Sequence, residues 1–375
     1  MTRALVVFSL EAWDGVWRRN QYVIDGLLRA DDGLTVLFVE PPRDVLHDVR
    51  SRRRARRGAG LRTASGYGGR LHLFEPTKWL PRVLGAAADA SLRRSVRHAM
   101  SRIPVKDPIL WVNDPTWAGF VDDSSWPALY DMTDDWLAAH RSSRAHDRLV
   151  AAEEILMREC RAVVVCSTGL LSSRREQRPD VTLIQNAVDV ARYRAPAARP
   201  VDMAGMRYVA YAGTLHEDRL DLPLVLETAR CLREAGARCV LVGPNALSPE
   251  NTAALVAEPG ILLLGPRPYE EVPGYLQHAS ALIVPHIVDE FTDSLDPIKL
   301  YEYRAVGRPI VTTAVAGFRE LAGQPGVVVA DGAAFPGEVV AAVARDEPVR
   351  EADVPDWSER VEAFAHVLDH IDGFR

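Results

Sequence analysis

Short apolar runs rich in β-branched residues alternate with longer amphipathic segments along this chain, and they do so in two separate series. The first series runs Ala4–Phe8, Thr35–Val39, Ile109–Val112, Ala128–Tyr130, Ala162–Cys166 and Thr182–Ile184, with a helix expected over Asn20–Arg29. The second runs Tyr208–Ala212, Arg238–Val242, Ile261–Leu264, Ala281–Val284, Ile310–Thr312 and Gly326–Val329. Strands that alternate with amphipathic helices form βαβ units, because a crossover helix brings the next strand back parallel to the last. The expected class is therefore α/β, with parallel sheets covered on both faces. A chain of 375 residues also exceeds one ordinary core, so two domains are expected.

The boundary is expected where the pattern lapses. Tyr193–Met206 holds Pro196, Pro200 and several alanines, and reads as a connection. The expected division is a first domain over 1–189, a linker over 190–206, a second domain over 207–350 and a terminal helix over 351–375. In that tail Asp356 and Glu359 have capping-box spacing. Val361, Phe364, Ala365, Leu368 and Ile371 then form an apolar stripe at helical period, which must be buried somewhere.

Composition narrows the function classes. Hydrophobic residues make up 47% and charged residues 26%, and the net charge is −6. A globular, non-fibrous protein follows, and no general attraction to nucleic acid is expected. The four cysteines, Cys160, Cys166, Cys231 and Cys239, form no CxxC pair and no zinc spacing, so reduced thiols are expected. The opening apolar run, Ala4–Phe8, is too short for a secretory core. No stretch approaches the ~20 apolar residues of a membrane span. A cytoplasmic protein is expected, with a peripheral place at the inner membrane face as the variant that its arginines suggest. Arg50–Arg57 holds six arginines in eight positions, and Arg93, Arg94 and Arg97 lie on a helix with Leu92, Val96 and Met100. A basic amphipathic surface of that kind suits an anionic membrane or acceptor.

In an open parallel sheet, ligands bind beyond the carboxyl ends of the strands. The loop most informative there is Pro285–Pro309, PHIVDEFTDSLDPIKLYEYRAVGRP. Asp296 is a good N-cap, Pro297 suits the first helical position, Ile298–Val306 continues as helix and Gly307 ends it. A helix N-terminus at a sheet edge attracts anions. Lys299 lies in the first turn, where the helix dipole disfavours a cation unless an anion is bound. Glu302, one turn on, can accept two hydrogen bonds from a diol such as ribose.

The run Asp296-Pro297-Ile298-Lys299-Leu300-Tyr301-Glu302-Tyr303-Arg304-Ala305-Val306-Gly307-Arg308-Pro309-Ile310-Val311 resembles the donor-binding segment of glycosyltransferase family 4, in the subgroup written "PiKlyEYlAaGkPVV" and of teichuronic-acid type. Other pieces follow in the family's order. They are Phe8–Gln21, Tyr130–Trp136, Gln185–Asp189, Tyr211–Leu215 followed by Arg219-Leu220-Asp221, and Leu264–Tyr269 before Val272-Pro273. The resemblance implies the GT-B fold, two Rossmann-like domains with the terminal helix crossing back to the first. It implies a nucleoside-diphosphate sugar held mainly by the second domain and a hydroxyl acceptor (a sugar, a lipid-linked sugar or a small molecule) on the first. It also implies transfer with retention of anomeric configuration. The sequence departs from the family at Ser294, where the first of two glutamates stands, and at Ala187, where a glycine is usual.

On this reading the leaving diphosphate needs positive charge. Lys299 and Arg219 are the candidates, helped by amides near Gly213 and Asp296. Asp114 is a third candidate, able to orient an acceptor hydroxyl. The donor is expected at Gly213, Thr214, Arg267, Tyr269, Ser294, Leu295, Asp296 and Glu302. The acceptor is expected near Trp13, Gly15, Trp17, Asp134 and Trp136, since indole faces pack on sugars and lipids. There is no Asp-x-Asp, so no metal and no cofactor besides the sugar donor are expected. The competing readings are an epimerase or hydrolase on the same fold, and a non-catalytic nucleotide-sugar sensor.

Overall fold

A computed structural model describes residues 3–50, 54–80, 85–137, 143–349 and 353–371. The chain divides into two compact units: unit 1 is Met1–Gln185 with Ser358–Arg375, and unit 2 is Asn186–Trp357.

The strands are β1 (Arg3–Phe8), β2 (Leu34–Val39), β3 (Arg43–Asp44), β4 (Gly60–Thr63), β5 (Leu71–Glu75), β6 (Thr77–Lys78), β7 (Ile109–Val112), β8 (Ala128–Met132), β9 (Ala162–Val165) and β10 (Thr182–Leu183) in unit 1. Unit 2 holds β11 (Tyr208–Ala212), β12 (Arg238–Val242), β13 (Ile261–Gly265), β14 (Ala281–Val284), β15 (Ile310–Thr312) and β16 (Val327–Val329). The unit 1 sheet runs β10-β9-β8-β7-β1-β2-β5-β4, and the unit 2 sheet runs β13-β12-β11-β14-β15-β16. Apart from the antiparallel edge pair β4/β5 the pairings are parallel. In each sheet the first strand lies centrally, and chain order reverses beside it. That reversal, at β1/β7 and at β11/β14, opens the crevice where doubly wound sheets bind ligands.

β1, β2, β7 and β11 are buried along almost their whole length. They therefore read as continuous apolar runs rather than alternating ones. The sequence missed β3 to β6. β5 is short and carries His72 in its apolar run, and β3 and β6 are two residues each. Their pairing is settled by the sheet rather than by local pattern.

The segment 190–206 is not a linker. Its Val190–Arg194 forms a helix capped by Asp189. The Gln277 side chain donates to Tyr193 O and Ala195 O and accepts from the Ala197 N–H. Asp202 ion-pairs with Arg267 at 3.1 Å. The division accordingly falls at Gln185–Asn186, before the expected position after Asp189. Prolines and alanines gave a linker's composition, but specific polar contacts make the stretch part of unit 2.

The terminal helix is Trp357–His370. Phe364, Leu368 and Ile371 of its apolar stripe are buried. Phe364 packs on Trp111 at a tilt of 32°, with ring centroids 4.6 Å apart. Val361 lies so close to the Arg19–Ala30 helix that a Cβ added at Gly26 would sit 2.3 Å from it. The Asp356 carboxylate, expected in a capping box, accepts the Val190 N–H at 3.0 Å.

The helix Ala86–Met100 differs from a lipid-facing one. Its Val96 and Met100 are core residues, Arg93 pairs with Asp123 at 2.9 Å, and Arg97 lies over the Phe120 ring. Its apolar stripe is used by unit 1 itself. All four cysteines are free thiols. Among the described residues no helix is long and apolar enough to cross a membrane.

Candidate functional site

Three loops of unit 2 meet at the reversal point of its sheet. The first follows β11, the second follows β14, and the third leads into the helix Ile298–Val306. The β11 strand turns sharply at Gly213, whose φ is +139°, a value that L side chains rarely adopt. A Cβ there would also lie 3.1 Å from Lys299 Nζ, and one on Gly243 would lie 2.2 Å from Gly213 O. Two glycines thus let the backbones close on each other and on the lysine. The β11 and β14 loops then pair directly: the Ile287 N–H donates to Arg219 O at 2.8 Å, and Asp221 N–H to Pro285 O at 2.9 Å.

Lys299 sits at the centre. Its Nζ donates to the Tyr211 hydroxyl at 2.7 Å and lies 4.0 Å from that ring's centroid. His286 Nε2 is 3.3 Å from the same nitrogen and 3.1 Å from the Tyr211 hydroxyl. Among the described residues no carboxylate forms an ion pair with this amine. Burial and the nearby Arg219 guanidinium together push Lys299 down to about 7. Burial, Lys299, Arg219 and His216 push His286 well below its ordinary value. Tyr211 and His286 hold this buried amine as neutral partners, Glu302 opposes the downward push, and the arrangement suits a ligand that brings negative charge.

Arg219 lies with its guanidinium 5.2 Å from the Phe291 ring centroid, and 3.7 Å from Asp218. Its acidic neighbours in sequence are otherwise engaged: Asp221 caps the helix Leu222–Glu234, and Glu217 accepts from Asn251 and the Ser248 N–H. The fold therefore brings Lys299 and Arg219 together, as their positions after strand ends suggested.

Glu302 accepts the Tyr193 phenol at 2.5 Å through Oε1. Burial pushes its carboxyl up, while that hydrogen bond and Lys299 oppose the rise. A carboxylate has about four lone-pair positions, so a diol can still be accepted. Tyr193 lies in the segment read as linker, and nothing in its local sequence marks it. His286, by contrast, stands two residues past the end of β14, and a place in a strand-end loop was a legible signal.

Two expectations, the Asp296 cap and the Gly213 amide, are corrected, and the other expected donor residues lie as follows. Asp296 does not cap the helix. Pro297 is the N-cap, and no side chain caps it. Asp296 instead accepts the Asn186 N–H at 2.5 Å and the Tyr301 hydroxyl at 2.7 Å. The Gly213 amide donates to Val242 O at 2.9 Å and so belongs to the sheet rather than to an anion. Ser294 and Leu295 are buried, and the Ser294 hydroxyl donates to Phe291 O at 2.7 Å. Asp293, a neighbouring carboxylate that could have replaced the missing glutamate, pairs with Arg319 at 3.3 Å. Arg267 donates to Leu264 O, the Tyr275 hydroxyl and Asp202. Tyr269 is buried under the Arg192 guanidinium at 4.3 Å. Both tie elements of unit 2 together. Thr214 stays part-exposed beside Gly213, its carbonyl 3.4 Å from the Tyr211 hydroxyl.

In unit 1 the loop after β1 carries Trp13 and Trp17, half-buried, with ring centroids 6.3 Å apart. Trp13 also meets Phe38 and Tyr67 edge-on, and its N–H donates to the buried Glu40 at 2.9 Å. Gly15 is exposed, and a Cβ there meets nothing within 4 Å. Asp114 caps the turn Pro115–Trp117 by accepting the Thr116 N–H at 2.9 Å. The Asp134 carboxylate accepts the Thr133 hydroxyl at 3.3 Å, and the Trp136 N–H donates to Asp134 O at 3.1 Å.

Sequence reasoning missed a buried network here. Asp131 is fully buried and accepts from Arg19 at 3.0 Å, Asn113 at 3.0 Å and Trp111 Nε1 at 3.3 Å. The Arg19 guanidinium in turn lies 4.9 Å from the Phe364 ring centroid. The acid of the Tyr130–Trp136 segment thus includes a structural member.

Known proteins with these features share a class. Residues 206–345 match the family model described as Glycosyl transferases group 1. The Bacillus subtilis protein TuaH, assigned to teichuronic acid biosynthesis as a glycosyltransferase, is 23% identical over 221 residues, which are 54% of this chain and 55% of TuaH. The chain thus spans about half the length of that curated relative. Sucrose-phosphate synthase from Thermosynechococcus elongatus superposes with a TM-score of 0.65 at 15% identity, over 96% of this chain and 94% of that one. Anabaena HepE, solved in complex with UDP-glucose, gives 0.66 at 14%, over 98% and 100%. The strand order and these superpositions show the GT-B fold. The match to the glycosyl transferases group 1 model falls wholly within unit 2.

Proposed function

We propose that the protein transfers a sugar from a nucleoside-diphosphate sugar to a hydroxyl acceptor in the cytoplasm. The observation that carries this reading is Lys299, a buried amine beside Arg219 and, among the described residues, in no ion pair with a carboxylate, at the reversal point of the unit 2 sheet. The UDP-glucose bound to Anabaena HepE makes a uridine donor the first to try. On this reading Lys299 and Arg219 neutralise the leaving diphosphate, and Glu302, steadied by Tyr193, accepts the ribose hydroxyls. Basic side chains then supply the electrostatic stabilisation that a metal gives elsewhere. Retention at the anomeric carbon, and a hexose as the sugar, follow from the resemblance of the Asp296–Val311 segment.

Glu302→Ala is expected to weaken UDP binding by roughly tenfold or more, since hydrogen bonds to a charged group contribute about 1.5–3 kcal/mol each. Tyr193→Phe removes only the brace and is expected to cost less. Titration calorimetry checks both. An unchanged UDP affinity in folded Glu302→Ala removes Glu302 from the donor site.

The same site gives a pH dependence. Lys299 titrates near 7 in the free protein, and a bound diphosphate favours its charged form, raising that value. Below about pH 7 the amine already carries its proton, and affinity is flat in this group. Above it, binding must take up a proton, so affinity falls by up to about tenfold per pH unit until the raised value is passed. Between pH 7 and 9, UDP binding is expected to weaken by about tenfold or more. Lys299→Arg, which stays charged, is expected to flatten the curve. A flat wild-type curve contradicts the assignment.

One observation favours a second reading, a nucleotide-sugar binder without turnover. The Ser294 hydroxyl is turned to Phe291 O, Asp293 pairs with Arg319, and Asp296 accepts from Asn186 and Tyr301, so both neighbouring carboxylates that could replace the usual sugar-side glutamate are already engaged. Binding of UDP without release of UDP from any UDP-sugar and acceptor mixture would select it.

A further inference from the structure

The arginine-rich stretch of unit 1 is held in a defined place. The Arg43 N–H donates to Pro76 O at 2.8 Å, Gly58 N–H to the Thr77 hydroxyl at 3.0 Å, and Arg56 N–H to Asp48 at 3.4 Å. These bonds tie the helix Val45–Arg50, the loop 54–58 and the end of β6 into one surface. Arg52 and Arg53 lie outside the described residues.

Two acids of this surface are already neutralised, and a third, Glu75, accepts the Ala59 N–H at 2.7 Å. Asp48 pairs with Arg43 at 2.9 Å, and Asp44 with Lys78 at 3.0 Å. Arg50, Arg54, Arg56 and Arg57 are exposed, and among the described residues none of them forms an ion pair. Two large apolar side chains stand among them. Trp79 is 50% exposed, with the Arg57 guanidinium 5.0 Å from its ring centroid, and Val49 is 57% exposed.

We propose that this face docks unit 1 on an anionic lipid bilayer, with the arginines on headgroup phosphates and Trp79 and Val49 at the boundary with the acyl chains. Charge alone would serve for a polyanion in solution. An exposed indole and an exposed valine beside the charge are a poor surface for water and a good one for the membrane interface, where an amphipathic ring keeps its polar edge wet. Arginine on a short, anchored loop also presents bidentate donors to phosphate.

Co-sedimentation with vesicles tests this. The full chain is expected to bind vesicles containing about one third phosphatidylglycerol and to ignore pure phosphatidylcholine. The triple variant Arg54→Ser, Arg56→Ser, Arg57→Ser is expected to lose roughly tenfold or more, most visibly at low salt. Trp79→Ser is expected to lose several-fold at high salt too, because its contribution is not screened. A retained thermal shift with UDP shows that each variant is folded and keeps failure here separate from failure of the donor-site reading. Equal binding to both vesicle types overturns the proposal. So does Trp79→Ser binding like the parent, or inorganic polyphosphate bound by parent and Trp79→Ser alike and displacing the vesicles.

Discussion

Replacing Lys299 by alanine is expected to lower kcat by about 10²–10³, the scale for losing one preorganised donor of charge stabilisation. The expected effect is large because this amine is held in place before any substrate arrives. Tyr211 accepts its hydrogen bond, His286 stands behind, and Gly213 allows the close approach. No reorganisation is then needed as the diphosphate leaves. Among the described residues no carboxylate forms an ion pair with the amine, and Glu302 only partly offsets the push of burial and Arg219, so a ligand that brings negative charge is favoured there. Charge on the diphosphate grows toward the transition state, so the loss should fall on kcat more than on donor binding. Arg219→Ala is expected to act in the same direction. On the proposed reading both cations address one diphosphate, so the double variant should lose less than the product of the two. Steady-state kinetics with a UDP-sugar and a competent acceptor decide the matter. A near-normal kcat with only a raised KM would mean uniform binding, and the catalytic role would pass to another group.

Asp131→Ala is expected to destabilise unit 1 by about 3–5 kcal/mol, the usual result of leaving a buried charge without its partner. Arg19 would lose its carboxylate while 4% exposed, and Asn113 and Trp111 would lose the same acceptor. Joint replacement by Arg19→Met and Asp131→Leu is expected to cost less, since no charge stays behind. Denaturant unfolding followed by tryptophan fluorescence reads this well: of the eight tryptophans, all but Trp357 lie in unit 1. A shift of under about 1 kcal/mol for Asp131→Ala would show that water reaches the arginine and that the network is not structural.

Apart from β4 and β5, the strands of the two large sheets were legible because a strand buried on both faces must be apolar throughout. β1, β11 and β14 are such runs. The helix Ile298–Val306 was legible as well, since Gly307, at φ +72°, ends it in a conformation that favours glycine. Lys299 and Arg219 could be nominated from position alone, because the loop after a parallel strand faces the ligand crevice.

Other parts were decided only in three dimensions. Asp296 looks like an N-cap in sequence, yet the Asn186 amide and Tyr301 hydroxyl claim its carboxylate. Tyr193 sits in a stretch with a linker's composition and braces Glu302 from over one hundred residues away. Arg19 and Asp131 are likewise far apart, and their chemistry gives no local period to read. The division follows from physics. Burial of a strand or a helix stripe is imposed on consecutive residues and leaves a periodic trace in the sequence. A hydrogen bond between distant side chains needs one residue at each end, and only the folded backbone brings those two together.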